Sequence, residues 1–213
     1  MTEIVSVERD GSDAARAALE RCVSEGGVAV FPADTLYGLA CDPLNAEAVE
    51  RIHQIKGRGE EKPSAVMYFS PLAMRELLSC LGRRSREAVS ALLPGPVTLV
   101  IANPEHRYPL ACREDPERLG VRLIEGPLAG TMTPILQTSA NRSGGAAPSR
   151  FEEIDEQIIA TADVAIDAGG LIGEPSTVVD VTRIDAGGGW DVLREGALSG
   201  REIGRRLGRI AAG

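Results

Sequence analysis

The sequence is poor in aromatic residues: Phe, Trp and Tyr make up 3% of its 213 residues. Its core must therefore be built from Val, Leu, Ile and Ala, and the stacking platforms that hold single-stranded nucleic acid have few residues to draw on. No uninterrupted apolar run approaches the roughly 18–20 residues of a membrane span. The opening stretch MTEIVSVERDGSD has neither the basic start nor the apolar run of a secretory leader. These absences predict a cytoplasmic protein without membrane contact. Cys22, Cys41, Cys80 and Cys112 are scattered with no CxxC spacing and no His beside them, which excludes a paired zinc site. Cys22 falls on an apolar helical face and reads as core. His53 and His106 stand alone, with no nucleophile in a neighbouring pattern. No GxGxxG opens a helix after a strand, and GxxxxGK[ST], HExxH and GxSxG are missing as well.

What is present suits one α/β domain covering residues 1–213. Apolar residues reach 43% and charged residues 25%, enough for a buried core and a solvated surface. The net charge of −8 excludes a broad basic surface for wrapping RNA, and predicts at most weak tRNA binding through a small patch. The 23 basic residues are 21 arginines and two lysines, Lys56 and Lys62, both in IKGRGEEKPS beside Arg58. Compact ammonium groups concentrated in one segment suit a phosphate site, and equally suit the electrostatics of a helix C-terminus.

Periodicity predicts helices over 13–25, 45–56, 85–93 and 149–162, another opened by Ser70-Pro71, and a last one capped by Ser199 and carrying Ile203, Leu207 and Ile210. Strands are expected at 27–32, 64–69, 97–102, 120–123 and 134–140, and in DVAIDAG, STVVDVT and WDVLREGAL, with DAGGG (185–189) as a hairpin-like turn. Interleaved helices and strands imply a mixed, twisted sheet.

Four segments place small or hydroxyl residues beside charge at strand ends: PADTLYGLAC (32–41), KGRGEEKPS (56–64), TSANRSGGAAPS (138–149), and PSTVVD with LREGAL (175–180 and 193–198). TSANRSGG offers hydroxyls, an amide and glycine N–H groups, the composition of an anion-binding loop and also of an ordinary turn. On an acidic chain, any site for a polyanion must gather its positive charge locally.

The ordered set FPADTLYGLACD, IKGRxxxKPS, LLPGPVTLVI, GVRL, TSANRSG, PSTVVDVT and LREGA resembles the YrdC/Sua5 family of L-threonylcarbamoyladenylate synthases, in its short YrdC-like form, over residues 13–200. The resemblance implies a twisted mixed parallel and antiparallel sheet flanked by helices, with a concave, positively charged cavity. It implies condensation of L-threonine, bicarbonate and ATP into threonylcarbamoyl-AMP and pyrophosphate, with Mg2+ accompanying ATP. The product would pass to threonylcarbamoyl-transferase machinery for the t6A modification of tRNA position 37. Lys56, Arg58, Ser139 and Asn141 match the family's signature set. Arg58, Lys62, Asn141, Ser149 and Arg194 fall at its ATP positions, and Thr35, Arg122, Ser139 and Ser176 at its threonine positions. No resident metal is implied. Such chemistry rests on positioning and charge neutralisation. Arg122 is expected to take the threonine carboxylate in a bidentate fork, and Lys56 and Arg58 to face a solvent-lined cavity.

Ala33 stands where the family usually carries Thr, Ile124 where Pro is usual, and 124–133 is shorter than usual. The expectation is a lost pocket hydroxyl and a thinner rim. Two other readings start from the same residues. A non-catalytic RNA-binding module of this fold is disfavoured by the acidic charge and scarce aromatics. A YciO-type paralogue of other activity is disfavoured by the complete signature set.

Overall fold

The computed structural model describes residues 1–57 and 63–208. In chain order the elements are β1 (Glu3–Ser6), α1 (Val7–Ser24), β2 (Ala29–Pro32), β3 (Tyr37–Cys41), α2 (Ala46–Lys56), β4 (Ala65–Tyr68) and α3 (Arg75–Cys80). Then follow α4 (Arg83–Leu92), β5 (Val97–Ala102), α5 (Pro109–Cys112), β6 (Arg118–Leu123), β7 (Ile135–Ser139) and α6 (Glu156–Thr161). The last are β8 (Val164–Asp167), β9 (Thr177–Asp180), β10 (Asp191–Arg194) and α7 (Gly200–Leu207).

Among the described residues, ten strands join one open sheet in the order β1-β8-β2-β3-β7-β4-β6-β5-β9-β10. Pairing is mixed. β1/β8, β8/β2, β4/β6 and β5/β9 run parallel, and the other neighbours antiparallel. Side chains alternate between faces along each strand, so one register divides the chain into two surfaces. Leu119, Val121 and Leu123 of β6, with Val97, Leu99 and Ile101 of β5, enter the larger core, which α2, α3, α4, α6 and α7 cover. On the opposite face α1 lays Ala15, Ala18, Leu19, Cys22 and Val23 over Phe31, Met67 and Ile166. Phe31 and Phe69 meet there edge to face, with ring centroids 6.3 Å apart. Among the described residues, the rest of that second face is not covered by α1, and only the end of the short α5 reaches it, through Cys112. The cavity described below lies there.

Several elements differ from the sequence reading. The first helix starts at Val7, capped by Ser6, and carries a kink at Gly11, whose φ of 85° no β-carbon would easily accept. Ser70-Pro71 starts a turn in which Leu72 N–H donates to Ser70 Oγ, and the helix itself begins at Arg75. The helix expected over 149–162 is a 3-10 turn, Phe151–Glu153, followed by α6, because Asp155 interrupts the first and caps the second. Strands β1 and β3 and the short α5 have no counterpart in the sequence reading. Helix α2 matches it closely: Asn45 caps the start, and Gly57 stops it in the left-handed conformation. Ser199 caps α7, and Ile203 and Leu207 are buried as expected, whereas Ile210 lies outside the described residues. The loop 124–133 folds back onto the α1 side, burying Ile124 and Leu128 beside Phe31.

Candidate active site

On the uncovered part of the second face lies a cavity of about 630 Å3, a size that suits a small-molecule site. Its floor comes mostly from alternate residues of neighbouring strands, among them Ser139 of β7, Ala65 of β4, Gly120 and Arg122 of β6, Thr98 and Val100 of β5, Val178 of β9 and Arg194 of β10, with Arg118 and Gln137 also lining it. Gly120 and Ala65 lie side by side and leave the middle low. Among the described lining residues the charged groups are Arg118, Arg122, Arg194 and Asp115.

Arg122 is 3% exposed, and its Nη2 forms an ion pair with Asp34 Oδ1 and reaches Thr35 Oγ1 at 3.5 Å. Burial pulls the Arg122 guanidinium below its ordinary pKa, Asp34 opposes that shift, and the charge of Arg194 adds to it. Burial likewise raises the Asp34 carboxyl, against the opposing pull of Arg122. Arg122 Nε and Asp34 Oδ2 are buried and find no hydrogen-bond partner among the described residues. One carboxylate oxygen of Asp34 thus holds the Nη2 end of the guanidinium.

Ser139 ends β7 and lines the cavity. Behind it Lys56, 3% exposed, donates from Nζ to the main-chain oxygens of Ser139 (2.5 Å) and Asn141 (2.8 Å). Lys56 therefore does not face a solvent-lined cavity, as the sequence reading expected. As the last residue of α2 it is held in the body of the protein, where it braces the turn that follows β7. Ser139 Oγ donates to Asn141 Oδ1 at 2.5 Å, and Asn141 Nδ2 donates to Gly145 O at 2.6 Å, so the TSANRSGG segment is a closed hydrogen-bonded loop.

On the other side Arg194 Nη2 donates to Ser176 O (2.8 Å) and Ser176 Oγ (3.3 Å), while Ser176 Oγ and Thr98 Oγ1 lie 2.9 Å apart. Burial lowers the pKa of Arg194. The segment 168–176, which leads to Ser176, is tied down on the β3 side: Tyr37 Oη accepts from Ala168 N–H and donates to Gly169 O, and Gly173 N–H donates to Thr35 O. Gly196 fits beneath it because a β-carbon there would fall 2.1 Å from Pro175 O.

Of the residues named from sequence, Thr35, Arg122, Ser139, Ser176 and Arg194 line one cavity. Lys56 and Asn141 stand behind Ser139 and do not line it. Ser149 is turned away, its hydroxyl donating to Glu153 Oε2 at 3.1 Å. Arg58 and Lys62 lie outside the described residues. Ala33 is buried in the α1-side core and takes nothing from the cavity, and no residue of 124–133 lines it, so both departures act on the fold rather than on the rim. Sequence reasoning assigned no role to Asp34, Thr98, Arg118 or Gln137. A strand register drawn from GVRL and VTLVI would have found Arg118 and Thr98. His106 pairs with Glu117 at 2.6 Å on the surface, and His53 meets Arg113, both away from the cavity. Burial pushes the thiols of Cys22 and Cys41 up to about 11 and about 12, which makes them core residues and poor nucleophiles. No group of three or more His, Cys, Asp or Glu among the described residues could hold a metal ion. No described helix is long and apolar enough to cross a membrane.

An open mixed sheet, helices on both faces and an arginine- and hydroxyl-lined cavity define an α/β protein with a cavity of small-molecule size. The chain belongs to the Sua5–YciO–YrdC family: the family model described as "Telomere recombination" matches residues 21–196. It is 34% identical to the mouse (Mus musculus) threonylcarbamoyl-AMP synthase, over 84% of this chain and 67% of that one. It is 30% identical to the Pyrococcus abyssi enzyme of the same name, over 88% of this chain and 56% of the longer relative. The solved structure of P. abyssi Sua5 complexed with L-threonine superposes with a TM-score of 0.83 at 28% identity, covering 98% of this chain and 61% of that one. Escherichia coli YciO, at 24% identity and a TM-score of 0.80, shares the fold.

Proposed function

We propose that the protein is an L-threonylcarbamoyl-AMP synthase, a nucleotidyltransferase acting on L-threonine, bicarbonate and ATP in tRNA t6A synthesis. The observation that carries this reading is the placement of Arg122 with Thr35 and of Arg194 with Ser176 in one cavity. It is supported by the relatives that bear that name and by the P. abyssi structure holding L-threonine.

In this reading Arg122, fixed by Asp34, takes the threonine carboxylate, with Thr35 and Ser139 beside it. The threonine amine, having lost its ammonium proton, attacks the bicarbonate carbon. A C–N bond forms, water leaves and a carbamate remains. A carbamate oxygen then attacks the α-phosphorus of ATP, a P–O bond forms, the bond to the β-phosphate breaks and pyrophosphate departs. Arg194 meets the phosphate side, and Arg58, Lys62, Asn141 and Ser149 are the further residues assigned to the nucleotide. None of these steps needs a protein nucleophile. Held geometry and fixed positive charge supply the acceleration. Mg2+ would arrive on the ATP phosphates and neutralise charge there. Lys56 keeps Ser139 and Asn141 in place. Any tRNA contact would be weak on a chain of net charge −8, and transfer to tRNA falls to separate machinery.

The test is pyrophosphate release from ATP with L-threonine and bicarbonate, each omitted in turn. Release that needs both substrates supports the reading. Release indifferent to threonine, or none at all, overturns it.

A further inference from the structure

Thr98 lies in the floor between the two arginines. Its main chain is paired so that it faces Val178 on β9, and Val178 in turn faces Arg194 on β10. On the other side the β5/β6 register runs through Leu99 opposite Val121, and one step further sets Thr98 beside Arg122. Arg122, Thr98, Val178 and Arg194 thus form one row across four adjacent strands, and all four line the cavity. Directly opposed residues in antiparallel strands have β-carbons about 5 Å apart, so Thr98 is Arg122's immediate neighbour.

The rotamer of Thr98 is set by its surroundings. Its methyl lies on the Gly120 side, where a β-carbon would be 3.7 Å away, and its hydroxyl lies 2.9 Å from Ser176 Oγ. Ser176 Oγ already accepts from Arg194, and a guanidinium can only donate. Either hydroxyl of this pair, 2.9 Å apart, can be the donor, and with the Ser176 proton on Thr98 Oγ1 the Thr98 proton is left for an acceptor in the cavity. Thr98 is 8% exposed, and its oxygen has no other hydrogen-bond partner among the described residues. A hydroxyl that accepts from a polarised neighbour becomes the stronger donor.

We infer that Thr98 donates to the small oxyanion held between Arg122 and Arg194, which is the bicarbonate oxygen that becomes the carbamate oxygen. This inference rests on the proposed function, because threonine, held by its carboxylate on Arg122, and the phosphates beside Arg194 define the two ends of the row. The carbon that joins them must pass over the residue in the middle. Val178, the other central member of the row, offers no polar atom.

The experiment compares the unsubstituted protein with Thr98→Val, which keeps the β-branch and removes the hydroxyl, and with Thr98→Ser, which keeps the oxygen. Initial rates of pyrophosphate release are measured with L-threonine, bicarbonate and ATP each varied, and L-threonine binding is followed by calorimetry. The expected result is a rise of about tenfold or more in the bicarbonate KM and a fall in kcat for Thr98→Val, with threonine affinity within about twofold. Thr98→Ser should recover most of the loss. If Thr98→Val does not fold, Thr98→Ala takes its place under the same criteria. An unchanged bicarbonate KM in a folded variant, or equal losses for all three substrates, overturns the inference and leaves the proposed function standing. Absence of threonine- and bicarbonate-dependent release by the unsubstituted protein overturns both.

Discussion

Lys56 and Ser139 are 83 residues apart in sequence, and the ammonium of the first donates to the main-chain oxygen of the second at 2.5 Å. A helix end and a strand end are tied by that contact, and Asn141 O, at 2.8 Å from the same nitrogen, closes the tie. Replacing Lys56 by Met removes the donor from two carbonyls at a site 3% exposed. The expected cost is about 1–3 kcal/mol of stability by denaturant unfolding, with turnover falling further than the lost stability explains because Ser139 is released. Unchanged turnover would show that the 139–141 turn holds its shape unaided.

Arg122→Lys should raise the threonine KM by about tenfold or more and leave the ATP KM within about twofold, since a single ammonium cannot match a planar fork. The buried Asp34 carboxylate will also pair poorly with a shorter reach. Steady-state kinetics with each substrate varied provide the check. A rise confined to ATP would move Arg122 to the nucleotide side of the cavity.

Helix α4 begins without a capping side chain of its own. Asp185 supplies one from 100 residues away, accepting from Arg84 N–H at 2.8 Å and from the Ser85 hydroxyl at 2.5 Å. Asp185→Ala should cost about 1–2 kcal/mol, read as a lower Tm with catalytic constants unchanged. A neutral result would mean that solvent caps the helix equally well.

Glu202, in the first turn of α7, bonds to Arg205 and Arg206, which lower its pKa from 4.5 to about 2. Its folded value lies below its unfolded one, so its contribution is fully present above about pH 4.5 and fades as pH falls toward 2. Thermal unfolding followed between pH 5 and 2 should show a shallower acid decline for Glu202→Gln than for the unsubstituted protein. Superimposable profiles would exclude Glu202 as a contributor.

The helices and strands that stand out in the sequence carry their own signals: Asn45 and Gly57 bracket α2, and Ser199 caps α7. Strand β3 was hidden because YGLAC has small residues where β-branched ones usually mark a strand, and its pairing with β2 and β7 is set by tertiary contact. The single helix expected over 149–162 fails at Asp155, which caps α6 and so ends what precedes it. At the site, motif residues came together where strand alternation carries them, as with Arg122, Ser139 and Arg194. Asp34 could not be assigned, because its role depends on meeting an arginine 88 residues away. The burial of Lys56 was also invisible, since a lysine at a helix end looks solvated until the facing loop is known.

The row that holds Arg122 and Arg194 turns the sheet into a gauge. Three steps between neighbouring strands, each about 4.8 Å, separate the two backbones by roughly 14 Å. That interval is held by main-chain hydrogen bonds in the ladders β6/β5, β5/β9 and β9/β10, so side-chain substitutions in the surrounding loops leave it untouched. Only a register slip would alter it. A one-residue insertion in β10 ahead of Arg194 would turn that side chain to the opposite face and remove it from the row, even though no contact residue had been changed.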